Sequence, residues 1–362
     1  MKTAHTKHAE QRAERIRRPN VSIVIKAYNE DNNIGRTLES VLRATKDMDA
    51  EIILADSHSS DRTIEVACRY PITIVQLQNP AERRCGVGPQ LGYQVAGGDY
   101  VYILDGDMEL LPGFLEAAIR ELREHPVLAG VAGRIYEENQ DNYIFALRAN
   151  MAAAALPVEV DHLAMGGLYK REALESVGYM SDRNLHAFEE LDLGLRLSDK
   201  GWRLKRVDVP AVKHYGHADP FTLLMRKRWR SGYLKGAGEI IRASAGSPYF
   251  GVVLKAHAQL FLTAAMWLLT AGALIASFWS VYALVIWISA VGLSSLGLAV
   301  RKRSLSRALR SIYVWQYGAA GLIAGLLAPY VDPTSPIAYR DLSTDGDYAS
   351  SGNGIATAGD HR

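Results

Sequence analysis

The stretch Val21-Ser22-Ile23-Val24-Ile25-Lys26-Ala27-Tyr28-Asn29-Glu30 sets the pattern from which the fold is read. Val21 to Ile25 is rich in β-branched residues and follows Pro19-Asn20, which is how a strand begins. The apolar run then gives way to the polar cluster Tyr28-Asn29-Glu30. Ile34, Leu38, Val41 and Leu42 recur at helical spacing. The alternation repeats downstream. Ile52-Ile53-Leu54 is a short apolar run that ends at Asp56. Thr63 to Cys68 reads as a helix, Ile72 to Leu77 as a strand and Gly92 to Ala96 as a weak helix. Tyr100 to Leu104 reads as a strand closed by Asp105-Gly106-Asp107. Strands alternating with helices predict an α/β fold with a mostly parallel sheet. Ligands bind such sheets beyond the carboxyl ends of the strands. The clusters at Tyr28–Glu30, Asp56–Asp61 and Asp105–Asp107 are therefore expected to converge on one edge. No Gly-x-Gly-x-x-Gly follows the first strand and no Gly-x-x-x-x-Gly-Lys-[Ser/Thr] occurs. That argues against a dinucleotide fold and a P-loop and leaves any phosphates to a metal.

Composition narrows the class. The 362 residues suffice for one large domain or two ordinary ones, and a net charge of +2 is too small for a protein that coats nucleic acid. Hydrophobic residues at 48% and charged residues at 22% exclude a chain disordered throughout. Two cysteines, Cys68 and Cys85, cannot build a disulfide scaffold.

Charge is unevenly placed. Ala256 to Val300 contains no Asp, Glu, Lys or Arg over 45 consecutive residues. That is too long for one span of about 20 residues and fits two joined near Ser277–Ser280. A second uncharged run, Ser311 to Val331, is expected to give a third span or a re-entrant or interfacial helix. Arg301-Lys302-Arg303, Arg307 and Arg310 mark the cytoplasmic side, which puts everything before Ala256 there too. With three spans, the tail from Asp332 would end outside. Its Gly, Ser and Asp content reads as disordered. Residues 1–19 are basic with no apolar core, so they read as a solvated tail and not a signal peptide. Phe221 to Ala243 mixes large apolar residues with six cations, as a helix lying at a membrane interface would. The expected organisation is a basic tail (1–19), a catalytic domain (20–220), an interfacial segment (221–255), a membrane domain (256–331) and a disordered tail (332–362).

Three groups carry candidate chemistry. Asp105 and Asp107 flank a glycine at a strand end, where two hard oxygen donors can address Mg2+ or Mn2+. Glu189-Glu190-Leu191-Asp192 opens a helical stretch and can supply a general base, although acids there also complement the helix dipole. His214, after a strand expected over Arg206 to Val212, is a candidate third metal ligand, with His217 as its substitute.

Together these segments resemble the family 2 glycosyltransferases of GT-A fold. Val21 to Glu30 resembles the family's opening motif, and Glu51 to Thr63 its second strand and Asp-rich turn. Gly88 to Tyr100 corresponds to a segment usually reading Ala-Arg-Asn-x-Gly, with Pro89 and Gln90 at the Arg and Asn places. Met165 to Arg171, then Val177-Gly178, resembles the glycine loop and following helix. Phe188 to Trp202 resembles the Glu-Asp-x-Asp-Leu helix, with Glu190 at the usual Asp. The resemblance covers roughly Val21 to His217. It implies a Rossmann-like catalytic domain, here followed by C-terminal transmembrane helices. It also implies a nucleotide-sugar donor, most often a UDP-sugar, and inversion at the anomeric carbon. Ala27, Tyr28 and Glu30 would line the base and ribose pocket with Asp56, and Gln90 would stand near the nucleotide. Asp105 would reach the ribose or the metal, and Asp107 would ligate Mg2+ or Mn2+. Gly166 and Gly167 would admit the sugar. Glu190 would deprotonate the acceptor, with Glu189 and Asp192 as supports or substitutes. Met225 to Trp229 resembles the Gln-x-x-Arg-Trp motif of processive synthases, with Met225 at the Gln place, so Arg228 and Trp229 would face an acceptor or the interface. The expected protein is an inner-membrane transferase with a cytoplasmic catalytic domain. It would act on a lipid-linked or glycan acceptor in contact with membrane lipid, without nucleic acid. A polyprenyl-phosphate transferase, a processive synthase and a silent membrane scaffold that binds nucleotide-sugar stay open.

Overall fold

The computed structural model describes residues 20–138, 156–164, 166–216 and 219–343. The N-terminal tail (1–19), Met165, His217 and residues 344–362 lie outside the described residues. By internal packing the chain forms two compact units. The first comprises the chain up to Arg183, Glu190–Ala218 and the chain from Asp332. The second comprises Asn184–Glu189 and Asp219–Val331.

The first unit follows the alternation read from the sequence. Its first half is β1 (Val21–Ala27), α1 (Ile34–Ala44), β2 (Ala50–Asp56), α2 (Thr63–Ala67), β3 (Thr73–Leu77), α3 (Val87–Val95) and β4 (Tyr100–Asp105). β2 and β4 flank β1, both parallel to it, and β3 pairs parallel with β2. A strand covered on both faces has no need of polar alternation, which is why β1 is nearly continuously apolar. Ile23 and Ile25 enter one core with Ile34 and Leu38, and Val24 enters the other with Val87 and Leu91.

The second half is β5 (Met108–Leu110), α4 (Phe114–Glu124), β6 (Leu128–Glu137), β7 (Val158–Val160), β8 (Gly167–Lys170), α5 (Arg171–Ser176), α6 (Glu189–Asp199) and β9 (Arg203–His214). Here antiparallel pairs enter the sheet: β8 with β4 and β6, and β5 with β9. The strand expected over Arg206 to Val212 is longer than predicted at both ends.

The second unit is helical: α7 (Phe221–Arg230), a 3-10 turn (Tyr233–Lys235), α8 (Gly236–Ala243), α9 (Phe250–Ala256), α10 (Ala258–Ala276), α11 (Val281–Arg301) and α12 (Leu305–Leu326). The expected single interfacial helix over Phe221 to Ala243 is thus broken at Gly232, whose φ is 77°. α10 and α11, of 19 and 21 residues with mean hydropathies of 1.7 and 2.1, are long and apolar enough to cross a membrane. Their turn falls at Ser277–Ser280, where the sequence placed it. Only these two helices meet that test among the described residues. The second uncharged run lies in α12 only as far as Leu326, and α12 starts earlier and takes in Arg307 and Arg310.

The tail from Asp332 corrects the sequence reading. Tyr339–Asp341 forms β10, antiparallel to β3, so the sheet runs β10-β3-β2-β1-β4-β8-β6-β9-β5 with β7 on β9. Ile337 and Leu342, on either side of β10, are buried in the two cores. Two apolar anchors and backbone pairing order a segment whose composition suggested disorder.

Candidate active site

The carboxyl ends of β1 and β4 meet as expected. Lys26, on β1, is in register with Asp105 on β4, and its Nζ lies 3.0 Å from Asp105 Oδ1. The same ammonium is 3.9 Å from Glu190 Oε1 at the start of α6. One cation therefore links the first acid of the Asp-x-Asp turn to the expected base. Burial raises the Asp105 carboxyl above the ordinary carboxylate range. The Lys26 ammonium pulls it back, while Asp107 and Glu190 add to the rise. Burial and the charge of Glu190 also push up the phenol of Tyr169 on β8.

The second acid of the turn faces a different partner. His214, at the end of β9, lies with Nε2 3.3 Å from Asp107 Oδ2 and Nδ1 2.6 Å from Glu137 Oε2. His214 and Glu137 are both buried. Burial opposes charge on the imidazole, but the hydrogen bonds to Asp107 and Glu137 outweigh it and raise the His214 pKa to about 10. Glu137 was missed in the sequence. It ends β6 as the Asp-x-Asp pair ends β4, and a carboxylate at a strand end was the available signal. Lys26 was missed as well, because it was read only as part of a motif.

Several expected site residues do other work. Asp192 is buried, and its Oδ2 accepts from Arg196 Nε at 2.8 Å one turn on; Arg196 also donates to the carbonyls of Tyr179 and Met180. Asp192 is thus tied to Arg196 within α6. Gln90 is buried on α3, and its Oε1 accepts from the amides of Met180 and Ser181, both at 3.0 Å. Its side-chain oxygen thus ties α3 to the Met180–Ser181 segment. The fully buried Asp56 carboxylate accepts from Ser59 and, at 3.0 Å, from Gln76 Nε2, so it organises the turn after β2. Glu189 is buried, whereas Glu190 next to it stays partly open and can reach a substrate.

The remaining expected site residues are placed as follows. Tyr28 is exposed under the Arg83 guanidinium at 4.0 Å, and Ala27 is buried at the end of β1. Glu30 Oε2 accepts from Asn33 Nδ2 at 3.0 Å. Gly166 has a φ of +76°, and a Cβ there would stand 2.9 Å from the Tyr102 hydroxyl, so both conformation and space demand glycine. Gly167 starts β8. In the second unit Arg228 stacks over Tyr233 at 4.9 Å, and the exposed Trp229 makes an edge contact with Tyr317 at 5.8 Å.

Residues 22–178 match the sequence model of "Glycosyl transferase family 2". This stretch is a family 2 glycosyltransferase domain. Among known proteins, the chain is 27% identical over 217 residues to "Putative glycosyltransferase EpsE" of Bacillus subtilis, covering 56% of this chain and 75% of that one. It is 28% identical over 182 residues to "Undecaprenyl-phosphate 4-deoxy-4-formamido-L-arabinose transferase" of Sodalis glossinidius, covering 45% and 53%. It is also similar to the solved "Mannosyltransferase PcManGT from Pyrobaculum calidifontis in complex with GDP-Man and Mn2+", with 21% identity and a TM-score of 0.55 over 88% of this chain and 94% of that one. That likeness shows a shared GT-A fold. The matched stretch contains the strand-end acids Asp105 and Asp107 and ends before Glu190 and His214.

The donor set fits a divalent cation. Asp107 offers a hard oxygen, and His214 offers an imidazole nitrogen once a cation displaces the proton now shared between Nε2 and Asp107, while Glu137 holds the other imidazole nitrogen as an outer partner does in metal sites. Asp105, engaged by Lys26, is less free to join them.

Proposed function

We propose that this glycosyltransferase moves a sugar from a nucleoside diphosphate sugar to a lipid-linked or glycan acceptor at the cytoplasmic face of a membrane, with inversion. The observation that carries the reading is the pair of linked clusters at one sheet edge, Lys26–Asp105–Glu190 and Asp107–His214–Glu137. Glu190 takes the acceptor hydroxyl proton as that oxygen bonds to the anomeric carbon and the bond to the diphosphate breaks. Lys26, 3.9 Å away, helps to position the Glu190 carboxylate. Asp107 and His214 would hold Mg2+ or Mn2+, which when bound supplies neutralising charge to the departing diphosphate. UDP- and GDP-sugars are both candidate donors: the first is usual in the family the sequence resembles, and the second is bound by the similar mannosyltransferase. The membrane face is supported by the apolar pair α10 and α11 and by the cations that follow them. Such a product would serve cell-surface polysaccharide or glycolipid assembly.

The test is a donor screen on the detergent-solubilised chain with Mn2+ or Mg2+, reading released nucleoside diphosphate for the native chain and for Glu190→Gln. Donor-specific release that is lost in Glu190→Gln, with donor binding kept, is expected. The undecaprenyl-phosphate transferase among its relatives favours a second reading, in which the acceptor is a polyprenyl phosphate. A phosphate acceptor needs no base, so a full rate in Glu190→Gln with that acceptor would select the second reading.

A further inference from the structure

The membrane topology can be read from the sheet. Residues 335–343 are stitched into the unit that holds β1. Gln94 and Ile337 exchange hydrogen bonds of 3.1 and 2.8 Å, and Arg183 Nη1 donates to the carbonyls of Ser335 and Pro336 at 3.0 Å each. β10 then pairs with β3. A hydrogen-bonded sheet cannot be divided by a bilayer. The excursion from Asp219 to Val331 must therefore leave and return on one side, which allows only an even number of crossings. α10 and α11 provide two.

α12 is long enough for a third, 22 residues or about 33 Å. Its neighbours argue otherwise. Its first turns carry Arg307 and Arg310, directly after Arg301-Lys302-Arg303. Its middle meets α7, with Tyr313 on Phe221 at 5.9 Å and Tyr317 on Trp229 at 5.8 Å. Its last turns are pressed on the chain just before α8. A Cβ on Gly321 would stand 2.2 Å from the Leu234 carbonyl, and one on Gly325 2.0 Å from the Lys235 carbonyl. From Tyr313 to Gly325, α12 is thus bound to the basic segment that precedes the first crossing, and its middle also touches α10, where Gln316 Oε1 accepts from Trp267 Nε1. Trp229 and Arg230 on α7, and Leu309 and Arg310 on α12, stay exposed as adjacent apolar and cationic side chains. That is the surface of a helix lying in a bilayer interface.

We propose that α7 and α12 form one platform lying among anionic headgroups of the cytoplasmic leaflet, and that α10–α11 is the sole crossing. This rests on the reading of α10 and α11 as membrane-spanning. It returns the chain after Val331 to the cytoplasm, in place of the outside location that three spans would give.

The test is labelling with a membrane-impermeant maleimide in a Cys68→Ala/Cys85→Ala chain carrying Phe278→Cys, at the exposed turn between α10 and α11, or Arg340→Cys, on β10. Labelling of Phe278→Cys in intact cells, and of Arg340→Cys only after permeabilisation, is expected. Labelling of both in intact cells means that α12 crosses and overturns the proposal while leaving the membrane reading intact. Labelling of neither, with the protein released by alkaline carbonate, overturns both. For the lipid partner, the native chain in nanodiscs should turn over several-fold faster with phosphatidylglycerol than with phosphatidylcholine alone. Arg226→Gln/Arg230→Gln/Arg307→Gln/Arg310→Gln should lose that difference. Equal native rates in the two lipids would overturn the platform's anionic partner.

Discussion

Truncating Ile337 to alanine should destabilise the catalytic unit, even though Ile337 lies more than 100 residues past the end of β9. Its side chain is 1% exposed and sits in the core shared by Val24, Val87 and Leu91. Large-to-small substitutions at such sites cost about 2–5 kcal/mol, because lost transfer energy is joined by a cavity. Taking about 3 kcal/mol, and about 2–4 °C per kcal/mol for a unit of this size, the melting midpoint should fall by about 6–12 °C. Leu342→Ala should behave similarly on the opposite core. Tyr339→Ala should not: all three β10 side chains are exposed, and surface changes cost within about 0.5 kcal/mol. The assay is thermal unfolding in detergent with a thiol-reactive dye, reporting on the partly buried Cys68 and Cys85 of the same unit. A native midpoint for Ile337→Ala, or a drop for Tyr339→Ala equal to that for Ile337→Ala, would refute the packing of this segment as a structural strap.

Glu137→Gln should weaken Mn2+ binding about 10–100-fold through loss of His214 orientation, as read by Mn2+ titration followed by electron paramagnetic resonance; unchanged affinity would remove Glu137 from the site. Lys26→Met should cost about 1–3 kcal/mol of stability and lower turnover by leaving Asp105 and Glu190 without their shared cation, and Lys26→Arg should restore part of both. Asp61 supplies a pH test. Burial alone would raise its carboxyl, but the Thr63 hydroxyl and backbone amides hold it below the ordinary value. With the folded pKa depressed, its stabilisation is present above the unfolded value of about 3.9 and is lost as pH falls through the folded pKa. Thr63→Val should move the acid unfolding midpoint to higher pH; an unmoved midpoint would contradict this.

The parallel half of the sheet was legible because strands buried on both faces write themselves as apolar runs, and β1, β2 and β4 do so. The acids at their ends were legible for the same reason, since topology gathers strand ends. What was not legible was held by single long-range contacts. Gln90 gave no sign that the amides of Met180 and Ser181, 90 residues away, hold its oxygen. β10 shows no alternation, because its three side chains all face water and its place is fixed by backbone pairing and the flanking Ile337 and Leu342. α12 was misplaced because the uncharged run was taken as the element. Helix geometry admits Arg307 and Arg310 at its start, where they can reach polar surroundings.

The cation site itself depends on register. β9 lies between β5 and β6, and its last residue, His214, is aligned with Met108 on one side and Glu137 on the other. The parallel β6–β9 pairing reaches that alignment only after three irregularities, between Leu128 and Gly130, Ala132 and Arg134, and Arg134 and Ile135. Successive residues of a strand face opposite sides of a sheet, so a slip of one residue would carry Glu137 away from His214. Bulges that re-aim side chains are common beside active sites. Here they bring the end of a long strand into phase with a carboxylate 77 positions earlier. The proposed cation site is therefore a property of how three strands are phased, which ties Asp107 and His214, named from their own motifs, to Glu137, whose sole sequence signal was a carboxylate at a strand end.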